Sequence, residues 1–297
     1  RPAAAAHAAR VASLLGAPPA EAARASAENP LLNFVFTYYG ADLGRPSNLG
    51  RWGPGVRALE DVTDEDAGLL WRGVGAEAPD PRAAPAKRAA ALQRGRDALA
   101  ATRKGAPVWH CYGLHEWAML YRPAGAPEPP KHQPLPVRVD QATINTVVEA
   151  GELKCTHFDA FRFFAPEARP RNRRQLSRET QLSHEQPACV HATMDLLRYA
   201  LRLAPFVRAE LVADALDVAL EARALDVAAS PYDLRGAVGV DAAAAAPVAV
   251  ETADGRREYV RRQALVADRA APVRDALLAA YDDFFLARAV GEGVCIS

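Results

Sequence analysis

PACVHATMDLLRYALRLAPFVRAELVADALDVALEARALDVAA, residues 187–229, decides the fold class. Its apolar residues recur every three or four positions, the period of a helix face and not the alternation of a strand. Ser183-x-x-Gln186 ahead of Pro187 has the form of a capping box with proline in the first turn. A helix is therefore predicted from there to about Leu203, ending before Pro205. A second is predicted over Arg208–Ala229, with Leu211, Val212, Ala215, Leu216, Ala219, Leu220 and Leu225 on its apolar stripe. Ser230-Pro231 stops it.

Toward the C-terminus, Ala242–Ala246 is a low-complexity linker. Val248–Thr252 and Arg256–Val260 are short β-rich runs flanking Asp254-Gly255, which predicts an antiparallel hairpin. Val260–Val290 returns to helix. Toward the N-terminus, Gln141–Ala150 is a predicted helix closed by Gly151, and Leu153–Phe158 has an extended character. Asp61–Trp71 and Ala83–Thr102 have the pattern of surface helices. Gly40–Gly55 is loop. Leu31–Tyr39 is an apolar, aromatic run that fits either a buried helix or a strand. Pro2–Ala27 is a helix interrupted near Gly16–Pro19. The expected fold is mainly α: a multihelical single globular domain with one small antiparallel β-hairpin near the C-terminus. Six prolines in 122–136 mark a boundary between an N-terminal helical lobe, 1–122, and a C-terminal lobe, 137–297, packed as one compact unit.

The 297 residues suffice for a sizeable core. Lys+Arg and Asp+Glu are equal at 36 each, so the whole chain has no net attraction for nucleic acid or an anionic membrane, though a local patch remains open. No apolar run approaches the ~20 residues of a membrane span. Four cysteines are too few for a disulfide framework. Reduced thiols in an intracellular, reducing compartment are expected. The chain opens on Arg1 and not Met, as expected of a chain trimmed of a targeting segment, which would suit a chloroplast or another organelle.

The chemistry concentrates in 154–202, with an echo at 109–117. His191 and Asp195 are spaced i, i+4, so they share a helix face and suit two ligands of one metal, or a His oriented by a carboxylate. Glu185 lies at the mouth of that helix. His157 and Asp159 are spaced i, i+2 and would share a face of a strand. His115 and Glu116 are adjacent and diverge on a helix, so both reach one centre only if the segment is extended; Glu116 is read as the more structural of the two. The catalytic candidates are Asp159, His157, Asp195 and Glu185. The metal candidates are His157, Asp159, His191, Asp195 and His115, a His/carboxylate set that suits Zn, Fe or Mn. The competing reading is a satisfied structural network of core histidines. Arg162, Arg171 and Arg173 are candidates to hold an anionic group by guanidinium forks. No P-loop, GxGxxG or GxSxG occurs, so no nucleotide cofactor is expected. These residues point to a His/carboxylate enzyme, with or without a metal, acting on a small anionic substrate, with a non-catalytic subunit of a larger organellar assembly as the alternative.

THFDAFRFFAPEARPRN (156–172), EQPACVHATMDL (185–196), LDVAASPYDL (225–234), NFVFTYY (33–39), GLHEWAMLYR (113–122) and REYV (257–260) together resemble an actinobacterial and plant or algal family. Its members are often labelled 3-methyladenine DNA glycosylase. The resemblance spans roughly Leu31–Leu277. It implies an N-glycosylase, a hydrolase acting on an alkylated purine. Asp159 or Asp195 would then stabilise the sugar cation or activate water, and an aromatic pocket would hold the modified base. Where the family string is ELDMRASPYDL, this chain keeps Asp226, Tyr232 and Asp233. No glycosylase-type LPGxG hairpin precedes a helix.

Overall fold

The computed structural model describes residues 2–51, 53, 55, 80–130 and 134–290. The helix expected at Asp61–Trp71 lies outside them. Eleven α-helices occur among the described residues: α1 Pro2–Leu15, α2 Pro19–Ala25, α3 Gly40–Leu43, α4 Ala86–Lys104, α5 Leu114–Met119, α6 Gln141–Ala150, α7 Phe158–Phe161, α8 Gln181–His184, α9 Val190–Leu203, α10 Ala209–Ala228 and α11 Ala253–Val290. The main class is all-α.

The predicted pair of helices at 187–229 forms the centre. α9 and α10 pack against each other, α11 packs on both, α4 lies against α11, and α1 packs on α10. α10 permits this because its buried face is largely small: Ala213, Ala215, Ala219 and Ala222 are fully buried alongside Leu216 and Val218. Alanines let backbones approach, and Leu196, Leu197 and Leu203 of α9 fill the space with Leu277, Tyr281 and Phe284 of α11. Each such large apolar side chain contributes about 1.5–3 kcal/mol by leaving water. Gly95 on α4 lets Tyr281 and Tyr199 come close, since a Cβ there would stand 3.0 Å from the Tyr281 hydroxyl. That hydroxyl donates to the Tyr199 carbonyl at 2.9 Å.

The expected hairpin is absent. Among the described residues there is no β-strand, only the isolated bridges Val137–Tyr232 and Leu153–Asn172. Asp254-Gly255 lies in the first turn of α11 instead. Thr252 caps that turn: its Oγ1 accepts from Gly255 N at 3.0 Å and its carbonyl from Arg256 N at 3.1 Å. Gly255 is required there for lack of space, because a Cβ would collide with the Ala249 carbonyl. The aspartate sits where a helix N-terminus favours negative charge. A dipeptide that serves a type I′ turn serves this helix start equally well.

Three further local expectations change, the first at Gly40–Gly55, expected as loop, which holds α3 and a 3-10 turn at Pro46–Gly50. α9 begins at Val190 with Cys189 at its cap, and Ser183 belongs to α8. Gln186 does not close a capping box; its Oε1 accepts from Val108 N and Ala188 N, both at 2.9 Å. The stretch expected to be extended at Leu153–Phe158 pairs through one bridge and then turns into α7 at Phe158. Asn172 holds it, exchanging hydrogen bonds with the Cys155 backbone at 2.9 and 3.0 Å. The run at 31–39, ambiguous between helix and strand, is a π-helix at Phe34–Tyr38, with Tyr39 N donating to the Phe34 carbonyl at 3.1 Å. Such widened turns often place side chains at functional sites; this one delivers Phe34, Tyr38 and Tyr39 to a cavity.

Candidate functional site

α9 presents His191, Met194, Asp195 and Arg198 to one cavity of about 220 Å³. Their spacing of i, i+3, i+4 and i+7 makes them one stripe of the helix. His157, Asp159 and Arg162 reach the same cavity from around α7, and Glu116 and Met119 reach it from α5. Four residues named from sequence, His157, Asp159, His191 and Asp195, therefore line one space.

The deepest group is centred on His191. Its ring meets His115 edge-on at 4.5 Å and stacks on His157 at 5.2 Å with 15° between planes. His115 is set by a turn in which Tyr112 and Gly113 both take positive φ, 49° and 66°. At Gly113 a Cβ would stand 3.1 Å from Ala229, so the chain passes close to the end of α10. His115 Nε2 then lies 2.8 Å from Asp226 Oδ1 on α10, yet neither atom makes a hydrogen bond. The short distance and the missing alignment are compatible because separation alone does not define a hydrogen bond. Asp226 is completely buried, and its Oδ2 accepts from Arg223 Nη1 at 2.7 Å. Arg223 is itself fixed by donating to the Pro30 carbonyl at 2.9 Å. One ligand atom from each of His115, His191 and Asp226 lies within 4.8 Å of the others, so this group could hold a metal ion.

Electrostatics separate the members. Burial and the neighbouring His115 and His157 hold the His191 imidazole well below the ordinary histidine range, against the pull of Asp226. Burial also opposes charge on His115, but the Asp226 carboxylate outweighs it and raises that imidazole. Burial alone would push Asp226 up; His115, then His191 and Arg223, hold it well below the usual carboxylate range. Glu116 is raised, first by burial and further by Asp226, and its Oε2 has no hydrogen-bond partner.

The other candidates occupy distinct places. Asp195 Oδ1 accepts from the Tyr39 hydroxyl at 2.7 Å, while its Oδ2 is 3.8 Å from His157 Nε2, beyond hydrogen-bond reach. Asp159 faces three guanidiniums, Arg178 at 2.8 Å, Arg198 at 3.3 Å and Arg162 at 3.4 Å. Burial raises its carboxyl, but the arginines and His157 leave it below its ordinary range. Those cations oppose a metal at Asp159. Glu185 is buried away from the cavity lining, accepting from Gln181 at 2.9 Å and Thr102 at 3.4 Å, and burial raises it. Arg171 stacks on Tyr121 at 5.1 Å and Arg173 lies 3.7 Å from Glu152, so neither lines the cavity, whereas Arg162 does. Cys111, Cys155 and Cys189 are free thiols around a second, water-sized space behind His115 and His191.

Asp226 and Arg223 were not among the candidates, though the signal was present. Val212, Leu216, Ala219, Arg223 and Asp226 continue one stripe at steps of four, three, four and three. Two opposite charges at the end of an apolar stripe must be buried together, and such pairs persist only when each is satisfied. Among the described residues no helix is long and apolar enough to cross a membrane. No known family, curated protein or solved structure matches this chain in comparison.

Proposed function

We propose that the protein is a metal-dependent enzyme, a hydrolase in its simplest form, that acts on a small anionic molecule. One observation carries this reading: His191 belongs both to the His115–His191–Asp226 group and to the lining of the cavity. An ion held there would face the cavity directly. Two imidazoles and one carboxylate suit Zn, ferrous iron or Mn, and leave coordination positions for water or substrate. Bonds of about 2.0–2.2 Å place tetrahedral ligand atoms roughly 3.3–3.6 Å apart. The His115–Asp226 pair at 2.8 Å would open slightly on binding. A bound ion would act as Lewis acid and lower the pKa of its water. Arg223, which itself lines the cavity, holds the Asp226 carboxylate by its Oδ2, as outer partners of metal ligands do.

The reading is tested by metal content. The purified chain is equilibrated separately with Zn2+, Fe2+ and Mn2+, desalted, and analysed for metal per chain. One of the three should be retained at one ion per chain and lost in Asp226→Asn and His115→Ala. Retention of no metal sinks the reading.

A second reading follows from the aromatic walls of the cavity, to which Phe34, Tyr38 and Phe163 contribute. These suit a flat base, in line with the glycosylase resemblance. Release of 3-methyladenine from methylated DNA, abolished by Asp159→Asn or Asp195→Asn, would favour it over the first.

A further inference from the structure

The cavity has two unlike ends. At the buried end is His191 with its partners His115 and Asp226. Seven residues further along α9, about 10 Å at 1.5 Å per residue, is Arg198. Beside it stand Arg162 and Arg178, with side chains 49% and 55% exposed, so this end is the mouth.

The mouth carries an unbalanced charge. Arg162, Arg178 and Arg198 converge on Asp159, and Arg198 also lies 3.6 Å from Asp195. Asp42, the remaining acid near Arg198, is matched by Arg202 at 2.8 Å. Three guanidiniums thus face two carboxylates, and Glu116 and Arg223, the other charged residues of the lining, carry opposite charges, which leaves one positive charge. A singly charged anion balances it; a dianion would be set against Asp159 and Asp195. Two of the guanidiniums are also held flat, Arg162 over Phe163 at 4.4 Å and Arg178 over Phe158 at 4.7 Å. Stacking fixes their forks before any ligand arrives, which lowers the cost of ordering them. The cavity walls include Phe34, Tyr38 and Met194, side chains that favour a flat apolar body. At about 220 Å³ the space is below the range of drug-sized sites, roughly 300–1,000 Å³.

We propose that this slot takes a small planar monocarboxylate, its carboxylate on Arg162 and Arg178 at the mouth and its flat body directed toward the His115–His191–Asp226 group. The proposal names the substrate class for the enzymatic reading above and rests on it, but binding at the mouth needs no metal.

Calorimetric titration of the full chain with benzoate, benzamide and phenyl phosphate, with and without Zn2+, tests it. Benzoate should bind the metal-free protein. Benzamide, isosteric and uncharged, should bind at least about tenfold more weakly, the value of one charge-assisted hydrogen bond. Phenyl phosphate should bind no more tightly than benzoate. Arg162→Gln with Arg178→Gln should weaken benzoate at least about tenfold; should that pair fail to fold, Arg162→Gln alone should show a smaller loss in the same direction. No benzoate binding, equal binding of benzamide, tighter phenyl phosphate, or an unchanged affinity in the folded variant each overturns the proposal. Benzoate binding without retention of any metal would sink the metal reading and leave the slot; metal retention without benzoate binding would do the reverse.

Discussion

Zinc at one hundred times its dissociation constant should raise the melting temperature through His191. A ligand that binds only the folded state adds about 2.7 kcal/mol when present at one hundred times its dissociation constant. For a chain of 297 residues each kcal/mol moves the melting temperature by roughly 2 °C, so the wild type should gain about 5 °C. His191→Ala removes one of three ligands. Loss of an outer partner alone weakens metal by about 10–100-fold, so loss of a ligand should cost at least the upper end. At one-hundredth the affinity and the same zinc concentration the gain falls to about 0.4 kcal/mol, under ~1 °C. His157→Ala is the control. Its ring stacks on His191 at 5.2 Å but supplies no atom to the group, so most of the 5 °C shift should remain. Differential scanning fluorimetry at several metal concentrations, with Fe2+ and Mn2+ in parallel, measures all three proteins. A shift of equal size in His191→Ala would place the metal elsewhere. The absence of any shift in the wild type with all three ions would refute the site.

Gly255→Ala should destabilise the protein by about 2–3 kcal/mol, because the new Cβ meets the Ala249 carbonyl and one backbone must move; a loss near zero in urea unfolding would show that the start of α11 is loosely packed. The Cys155 thiol is pushed by burial up to about 12, so native protein should react with iodoacetamide far more slowly at pH 8 than unfolded chain, as peptide mass spectrometry would report. Arg138 pairs with Glu251 at 2.5 Å and stacks over Trp117 at 5.5 Å. Burial raises the Glu251 carboxyl, but Arg138 outweighs it and leaves it lowered. Its stabilisation is therefore present above the unfolded carboxyl pKa near 4.3 and is lost as pH falls through the lower folded value. Glu251→Gln should accordingly lose about 1–2 kcal/mol at pH 7 and flatten the acid limb of the stability profile; an unchanged acid limb would remove the pair from the account.

The long helices were legible because period and burial agree in them. Of the predicted stripe, Leu211, Val212, Ala215, Leu216, Ala219 and Leu225 are buried within Ala209–Ala228 and Leu220 is half-buried. What sequence could not settle were points where one local code serves two geometries. Asp254-Gly255 fits a hairpin turn and a helix start; the choice was made by Ala249, whose carbonyl leaves no room for a Cβ, and by the Thr252 hydroxyl. Neither contact has a periodicity. Gln186 three residues after Ser183 had the spacing of a capping box, but its side chain was claimed by Val108 N, 78 residues away.

The site divides along the same line. His191 and Asp195 share a helix face, and local spacing found them. Which acid serves the histidine depends on which helix packs there, and α10 packs on α9 so that Asp226, not Asp195, meets His115 beside His191. Asp195 is turned to Tyr39 and Arg198, toward the mouth. The two acids thereby acquire different neighbours. Asp226 has two imidazoles and one buried guanidinium, and its Oδ1, 2.8 Å from His115 Nε2, belongs to the group that could hold a cation. Asp159 has three guanidiniums and a surplus of positive charge, the environment of an anion. The proposed cation at the base and anion at the mouth rest on which partners each carboxylate keeps. Exchanging the surplus should therefore exchange the preference: Arg162→Glu would turn the mouth's single positive charge into a single negative one, abolish benzoate binding, and leave the zinc shift of the base intact. Loss of both together would show that the two ends are one charge network and not two sites.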